Sequence, residues 1–334
     1  MSKLPEVVRI LLDPEIYPER PEKIELLQTQ ISFIFLAGDF VYKLKKPVDF
    51  GFLDFTTLER RRFFCQQEVE LNRRLCPEIY LGVVPLVRKK GSFSLDGRGE
   101  VVDYLVKMRR LPQECTMDRL LQRDQVSPQM LERLAKRLVE FHRRARAVSS
   151  GFGDLKTCRL DTEENFAQTQ KYVGLTLPPE TYEHIKNYAR SFLEKNALLF
   201  ERRVREGRVR DCHGDLHLAH ICFTDGICIF DCIEFNERFR YLDVASEIAF
   251  LAMDLDYHGR PDLSHHFVQS YVNLSGDREL EELLDFYKCY RAYVRGKVES
   301  FKLDDPHISE EEKAKVLGMA KGYFELAQSY ARGG

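Results

Sequence analysis

The sequence has no run of about 18 consecutive apolar residues, so no membrane-spanning helix is expected. Its first stretch, MSKLPEVVRILLDPEIY, breaks each short apolar run with a charge or a proline, so no secretory signal is expected there and a cytoplasmic protein is predicted. Charge of one sign is not in excess. Lys and Arg number 51 against 53 Asp and Glu, a formal net charge of -2, so nothing global draws the chain to nucleic acid or to a membrane. No CxxC pair occurs among Cys212, Cys222, Cys228 and Cys232, and the nine cysteines are an odd number without a secretion signal. Reduced thiols buried as small hydrophobes are therefore expected. There is no internal repeat and no low-complexity segment.

What is present, in 334 residues, is enough for two domains or lobes. IELLQ, FIFLA and FVYKLKKP read as short strands, with AGD as the turn between the last two and Pro47 closing the third. A helix begins at a capping box, Thr56 with Glu59, and runs to about Cys76. GVVPLV and EVVDYLVKM are two more strands, separated by the turn-rich RKKGSFSLDGRG. Five strands and a helix make a small lobe ending near Met108. Beyond it the pattern is mostly helical. Ser127 and Pro128 open one helix, PPETYEHIKNYARSFLEKNALLFERRVREG forms a long one stopped by Gly207, and three more are predicted near 262–274, 277–303 and 309–331.

The stretch HGDLHLAHICFTDGICIFDCIEF, residues 213–235, interrupts this helical region. Asp225-Gly226 reads as a two-residue hairpin turn, because both positions tolerate positive φ. Thr224 then faces Ile227, Ile221 faces Phe230 and His220 faces Asp231, with Asp215 in the loop just before. Two carboxylates and an imidazole at one hairpin end are suited to a divalent cation. Two other readings stand beside this one: a polar hairpin end in water, and a hydrolytic metal site of His213, Asp215, His217 and His220 that lacks a separate general base.

HGDLHLAHI and IFDCIEF resemble the catalytic loop and the metal-binding segment of the aminoglycoside phosphotransferase-like kinases, distant relatives of the protein kinases. The resemblance implies an α+β, two-lobed protein-kinase-like fold. Residues 1–108 would be a small antiparallel-sheet lobe with one helix that binds nucleotide, and 109–334 a helical lobe with the catalytic loop and substrate site. It implies ATP and Mg²⁺ as cofactors, with Mn²⁺ as the alternative metal. Asp215 would orient the acceptor hydroxyl and accept its proton, and Asp231 would hold the metal. His220 stands where the family carries an asparagine that binds a second metal, and is the second candidate ligand.

The resemblance extends to FVYKLKKPV, which is similar to the strand carrying the phosphate-anchoring lysine. Lys43 is the best fit and Lys45, on the same face, the fallback. Their glutamate partner would be Glu68, aligned on the helix with Phe64, Leu71 and Leu75, and only one of the two lysines should meet it. QTQIS takes the place of the phosphate-covering loop without a glycine, leaving backbone N–H groups and the Thr29 and Ser32 hydroxyls. VKMRRLP resembles the hinge, which would offer adenine the backbone of Met108, Arg109 and on to Leu111; a core strand followed by a linker is an equal reading. His142 reads as a packing histidine and Asp243 as a structural acceptor. More narrowly, FVYKLKKPVDFGFLDFTTLERR resembles a bacterial group often fused to a C-terminal P-loop kinase domain, but this sequence contains no GxxxxGK[ST].

For the acceptor the signals conflict. Lys288, Arg291 and Arg295 would suit an anion if they are not simply a solvated basic helix face, whereas Asp254 and Asp256 suit a cation. The expectation is an ATP-dependent phosphotransferase acting on a hydroxyl of a small molecule, with no nucleic-acid or membrane partner and no signal for oligomeric state. A nucleotide-binding pseudokinase or regulatory module and a metal-dependent hydrolase are the alternatives. Lys43, Glu68, Asp215 and Asp231 together favour the kinase, since a binding module needs no catalytic aspartate and a hydrolase needs neither the lysine nor its glutamate.

Overall fold

The computed structural model describes residues 4–148, 151–305 and 308–333. Two compact units divide the chain: Met1–Leu120 with Ala219–Glu237, and Leu121–Leu218 with Arg238–Gly334. The hairpin after the HGD loop belongs to the first unit. Contacts, not chain order, decide this.

The first unit opens with a short helix, α1 (Glu6–Ile10), and holds an antiparallel sheet in the order β1-β2-β3-β6-β4-β5. Its strands are β1 (Ile24–Gln28), β2 (Ser32–Ala37), β3 (Phe40–Lys45), β4 (Tyr80–Lys89), β5 (Ser92–Leu95) and β6 (Glu100–Arg109). β5 lies inside the stretch expected to be only a turn. Lys90 and Gly91 have φ of 52° and 84°, the geometry of a two-residue hairpin turn, and Lys89 pairs with Ser92. Tyr17, Phe35, Tyr42, Leu44, Leu86 and Leu105 form the core on one sheet face.

Helix α2 (Leu58–Asn72) supplies the other face. Thr57, not Thr56, is its N-cap, accepting from the Arg60 amide, while Thr56 bonds back to Asp54. Its buried line is Arg61, Cys65, Glu68, Val69 and Asn72. Arg61 is neutralised by Asp103 at 2.9 Å. Cys76, just past the helix, forms a disulfide with Cys228, Cα atoms 4.9 Å apart. This corrects the expectation of thiols throughout, because spacing reveals only pairs close in sequence and these are 152 residues apart.

The hairpin pairs Ile221–Phe223 with Ile227–Ile229 in the register Ile221↔Ile229, Cys222↔Cys228 and Phe223↔Ile227. That is one residue off the expected pairing. Neither Asp225 nor Gly226 takes positive φ, and the Thr224 amide bonds the Gly226 carbonyl, so the loop has three residues.

Helices α3 (Met117–Gln122), α4 (Pro128–Arg144), α5 (Leu155–Thr169), α6 (Pro179–Lys195), α7 (Ala197–Arg205), α8 (Glu237–Arg240), α9 (Val244–Tyr257), α10 (Pro261–Ser275), α11 (Leu280–Phe301) and α12 (Glu310–Gly333) follow, α3 straddling the boundary and α8 beginning at it. Ser127 caps α4 as expected. The single long helix expected up to Gly207 is instead α6 and α7, parted at Asn196, whose side-chain amide bonds the Phe192 carbonyl. α5 went unread because its buried face is polar: Thr162 and Thr169 satisfy themselves on carbonyls four residues back. α9 is apolar nearly all round and buried from Val244 to Leu255. No described helix is long and apolar enough to cross a membrane.

Candidate active site

In the first unit, side-chain alternation along β3 sends Lys43 and Lys45 to the same face, where α2 presents Glu68. Lys43 Nζ lies 2.9 Å from Glu68 Oε1 and 2.6 Å from Asp231 Oδ1. Lys45 Nζ lies 2.7 Å from Glu68 Oε2 and also bonds Glu234 Oε1. Both lysines thus meet Glu68, which corrects the expectation that only one would: a carboxylate has two oxygens, and residues two apart on a strand share a face. Five charges alternate in a row: Asp231, Lys43, Glu68, Lys45, Glu234.

Burial pushes the Glu68 carboxyl up, but the two ammonium groups outweigh it and leave it below the usual range. For Glu234 burial wins over Lys45 and the carboxyl is raised. Burial lowers both lysines, yet the carboxylates beside them bring both above the ordinary value.

Asp231 sits at φ 62°, a left-handed conformation that aspartate tolerates better than most residues. Its amide donates to Tyr80 Oη at 3.1 Å, and the Cys232 amide to Asn72 Oδ1 at 2.9 Å, so β4 and α2 fix the bend. The carboxylate remains 42% exposed, with Oδ2 3.6 Å from His220 Nε2. Although the register places His220 opposite Phe230, the bend brings Asp231 back beside the imidazole. A hard carboxylate, half exposed and held by its backbone, fits a divalent cation, and the imidazole is near enough to be a second donor.

Other expected nucleotide contacts are occupied. The Thr29 amide bonds the Ser32 carbonyl, the Ile31 and Ser32 amides bond Thr29 Oγ1, and Ser32 is wholly buried. The QTQIS turn is thus closed on itself, and the Ser32 hydroxyl cannot reach a phosphate. Met108 lies in the sheet opposite both Val41 and Tyr80, and the Arg109 and Arg110 amides bond the Ile79 and Asp39 carbonyls. The donors expected to meet adenine at Arg109 are spent on the sheet.

In the second unit the HGD loop is held from beneath by Glu247. This carboxylate, on α9, accepts from the amides of His213 at 3.0 Å and Gly214 at 2.7 Å, and lies 3.1 Å from His142 Nε2. His142 Nδ1 in turn lies 2.7 Å from Tyr271 Oη. Burial pushes Glu247 up, but the hydrogen bond and charge of His142, with the Gly214 amide, bring it down to about 2. Sequence reasoning missed Glu247, although a single acidic residue inside the apolar run VASEIAF was the signal. Asp254 accepts from the Leu218 amide at 2.9 Å, and Arg291 donates to the Gly214 carbonyl at 3.3 Å. Asp215, its side chain 32% exposed, lies 3.6 Å from His217 Nε2. His213 is buried, with Nδ1 accepting from the Asp215 amide, which removes one ligand from the hydrolytic metal quartet.

Four of the groups read as substrate contacts, Lys288, Arg291, Asp254 and Asp256, are engaged within the fold. Lys288 bonds Asp256 at 2.9 Å and Ser264 at 3.1 Å, and with Arg291 it is buried, so α11 is no solvated basic face. Asp254 and Asp256 are engaged, by the Leu218 amide and by Lys288 and Tyr330. Asp243 caps α9 and grips buried Arg203 through both oxygens at 2.7 Å, with Asp277 on the guanidinium's other side.

Comparison with known proteins follows the same direction. Residues 64–284 match the model of the phosphotransferase enzyme family. Uncharacterized proteins of Mycobacterium tuberculosis and Mycobacterium bovis are 35% identical over 280 residues, covering 83% of this chain and 54% of theirs, so the chain spans about half the length of these relatives. A choline/ethanolamine kinase family protein from Mesorhizobium loti superposes with a TM-score of 0.55 at 13% identity, over 98% of this chain and 99% of its own. An amicoumacin kinase, solved in complex with AMP-PNP, Ca²⁺ and Ami, gives 0.57 at 12% identity, over 96% and 92%. At these identities the likeness is one of fold. By the family match, which spans more than half of its length, this chain belongs to the phosphotransferase enzyme family.

Proposed function

We propose that the protein is an ATP-dependent kinase that moves the γ-phosphoryl group to a hydroxyl of a small molecule. The observation that carries this reading is Lys43, bonded at once to Glu68 and Asp231. A lysine fixed by a glutamate and lying against a metal-binding carboxylate is what phosphate anchoring needs. Lys43 occupies the Asp231 carboxylate as a cation would. With nucleotide bound, Lys43 would turn to the α- and β-phosphates, and Asp231, with His220 as a second donor, would hold Mg²⁺. The bound cation supplies charge neutralisation on the phosphates.

Asp215 orients the acceptor hydroxyl and takes its proton as the oxygen bonds the γ-phosphorus and the bond to the ADP oxygen breaks. Glu247 and Arg291 keep the loop backbone in place while this happens. The AMP-PNP and Ca²⁺ bound to the amicoumacin kinase support nucleotide and divalent-cation use by this fold.

The test is ADP release from Mg–ATP across a panel of amino sugars, aminoglycosides and amino alcohols, with melting temperature as the measure of nucleotide binding. Asp215→Ala should abolish turnover and keep the Mg–ADP-induced rise in melting temperature, whereas Asp231→Ala should lose both. Turnover by Asp215→Ala at near the native rate would overturn the assignment.

A further inference from the structure

Lys45 has no part in the roles above, yet it is the more deeply buried of the two lysines. Its side chain has no exposure, against 10% for Lys43, and Nζ lies 4.9 Å from the centroid of the Phe55 ring. Its ladder partner Ser32 is fully buried as well. A group so enclosed cannot touch a phosphate. Burying an ammonium is costly unless it is paired, and an apolar side chain at this position would fill the core without that cost.

What an apolar side chain could not do is hold two carboxylates. Lys45 takes Glu68 Oε2 and Glu234 Oε1, and Glu234 lies three residues beyond Asp231. One carboxylate on α2 and one on the segment that carries Asp231 are thereby pinned to a single point on β3. Glu234, 4% exposed at its side chain, also balances the second positive charge that Lys45 places against Glu68.

We propose that Lys45 and Glu234 form a second ion pair whose task is positioning: it fixes the free rotation of the Glu68 carboxylate and the reach of the Asp231 segment. The inference rests on the kinase reading. When phosphates pull Lys43 away from Asp231, the row of charges loses one link, and the Lys45 links keep Glu68 and the Asp231 segment in register for the cation. Lys45 and Glu234 touch neither nucleotide nor metal, and act through Glu68 and Asp231.

The experiment compares the native chain with Glu234→Gln, Lys45→Met and the double variant Lys45→Met/Glu234→Met, which leaves neither partner unpaired in the core. Melting temperature is measured without ligand and with ADP over a Mg²⁺ titration, beside kcat and KM for ATP. Removing groups that orient a metal ligand typically weakens metal affinity by about 10–100-fold, so the half-saturating Mg²⁺ should rise by that factor in all three, with kcat falling more than KM rises. A folded double variant with a native Mg²⁺ titration would overturn the proposal, as would a lower melting temperature with unchanged Mg²⁺ dependence, which is what a merely structural pair would give. Absence of any Mg–ADP effect on the native chain would instead overturn the kinase reading, and this inference with it.

Discussion

Glu247 is fully buried, yet its carboxyl group titrates at about 2 because His142 and two loop amides favour the charged form. The folded value lies below the unfolded one of 4.5, so the unfolded chain binds more protons between the two. The resulting stability is present above pH 4.5 and is lost as pH falls toward 2. By linkage it amounts to about 3 kcal/mol at neutral pH. In denaturant titrations Glu247→Gln should be less stable by about that amount at pH 7, and the gap to the native chain should close as pH drops through this window. A gap that stays constant with pH would show that Glu247 is not the charged anchor of the HGD loop.

At the scale of elements, the packing of α11 on α12 turns on one glycine. A Cβ at Gly296 would stand 2.9 Å from two ring atoms of Phe324, a residue with no exposure and thus no room to retreat. Gly296→Ala gains up to about 1 kcal/mol of helix propensity, while overpacking a closed core costs about 1–3 kcal/mol. The second effect should win, and the melting temperature should fall; a rise would mean that Phe324 finds another rotamer. α2 shows the opposite relation between pattern and packing. Its buried line is Arg61, Cys65, Glu68, Val69 and Asn72, with three polar or charged members of five, so no continuous apolar stripe announces that face. Only its place against β3, with Asp103 and two lysines as partners, makes burial of those charges tolerable.

At the scale of the molecule, the Cys76–Cys228 bridge closes the longest-range covalent link among the described residues, across 152 positions. Loops of this length lose about 5 kcal/mol of unfolded-state conformational entropy when cross-linked. Reduction should therefore lower the melting temperature markedly, and non-reducing peptide mapping should recover Cys76 joined to Cys228. Alkylation of both residues without prior reduction, together with a melting temperature indifferent to reductant, would contradict the bridge.

Local chemistry was enough to place β1, β3, α4 and the helices α10 to α12; Ser127 with Pro128 opens α4, and Pro261 and Gly276 bound α10, signals that act over a few residues. Lys43, Glu68, Asp215 and Asp231 were singled out by the resemblance to the kinase-like family, and the fold brings Lys43 within hydrogen-bonding distance of both Glu68 and Asp231. What local chemistry could not decide was anything set by partners distant in the chain. The hairpin register differed by one residue because the loop adopted three residues where the sequence suggested two. Lys45 proved to be a second partner of Glu68, and Lys288 and Arg291 proved to be buried, since the face of a charged side chain is fixed by what packs against it. Glu234 and the disulfide became visible only when the fold brought β3, α2 and the hairpin to their partners, and the partners of Glu247 only when α9 met the loop amides and His142. A charge or a thiol reads the same in sequence whether water or a counter-group receives it, and tertiary structure alone chooses between them.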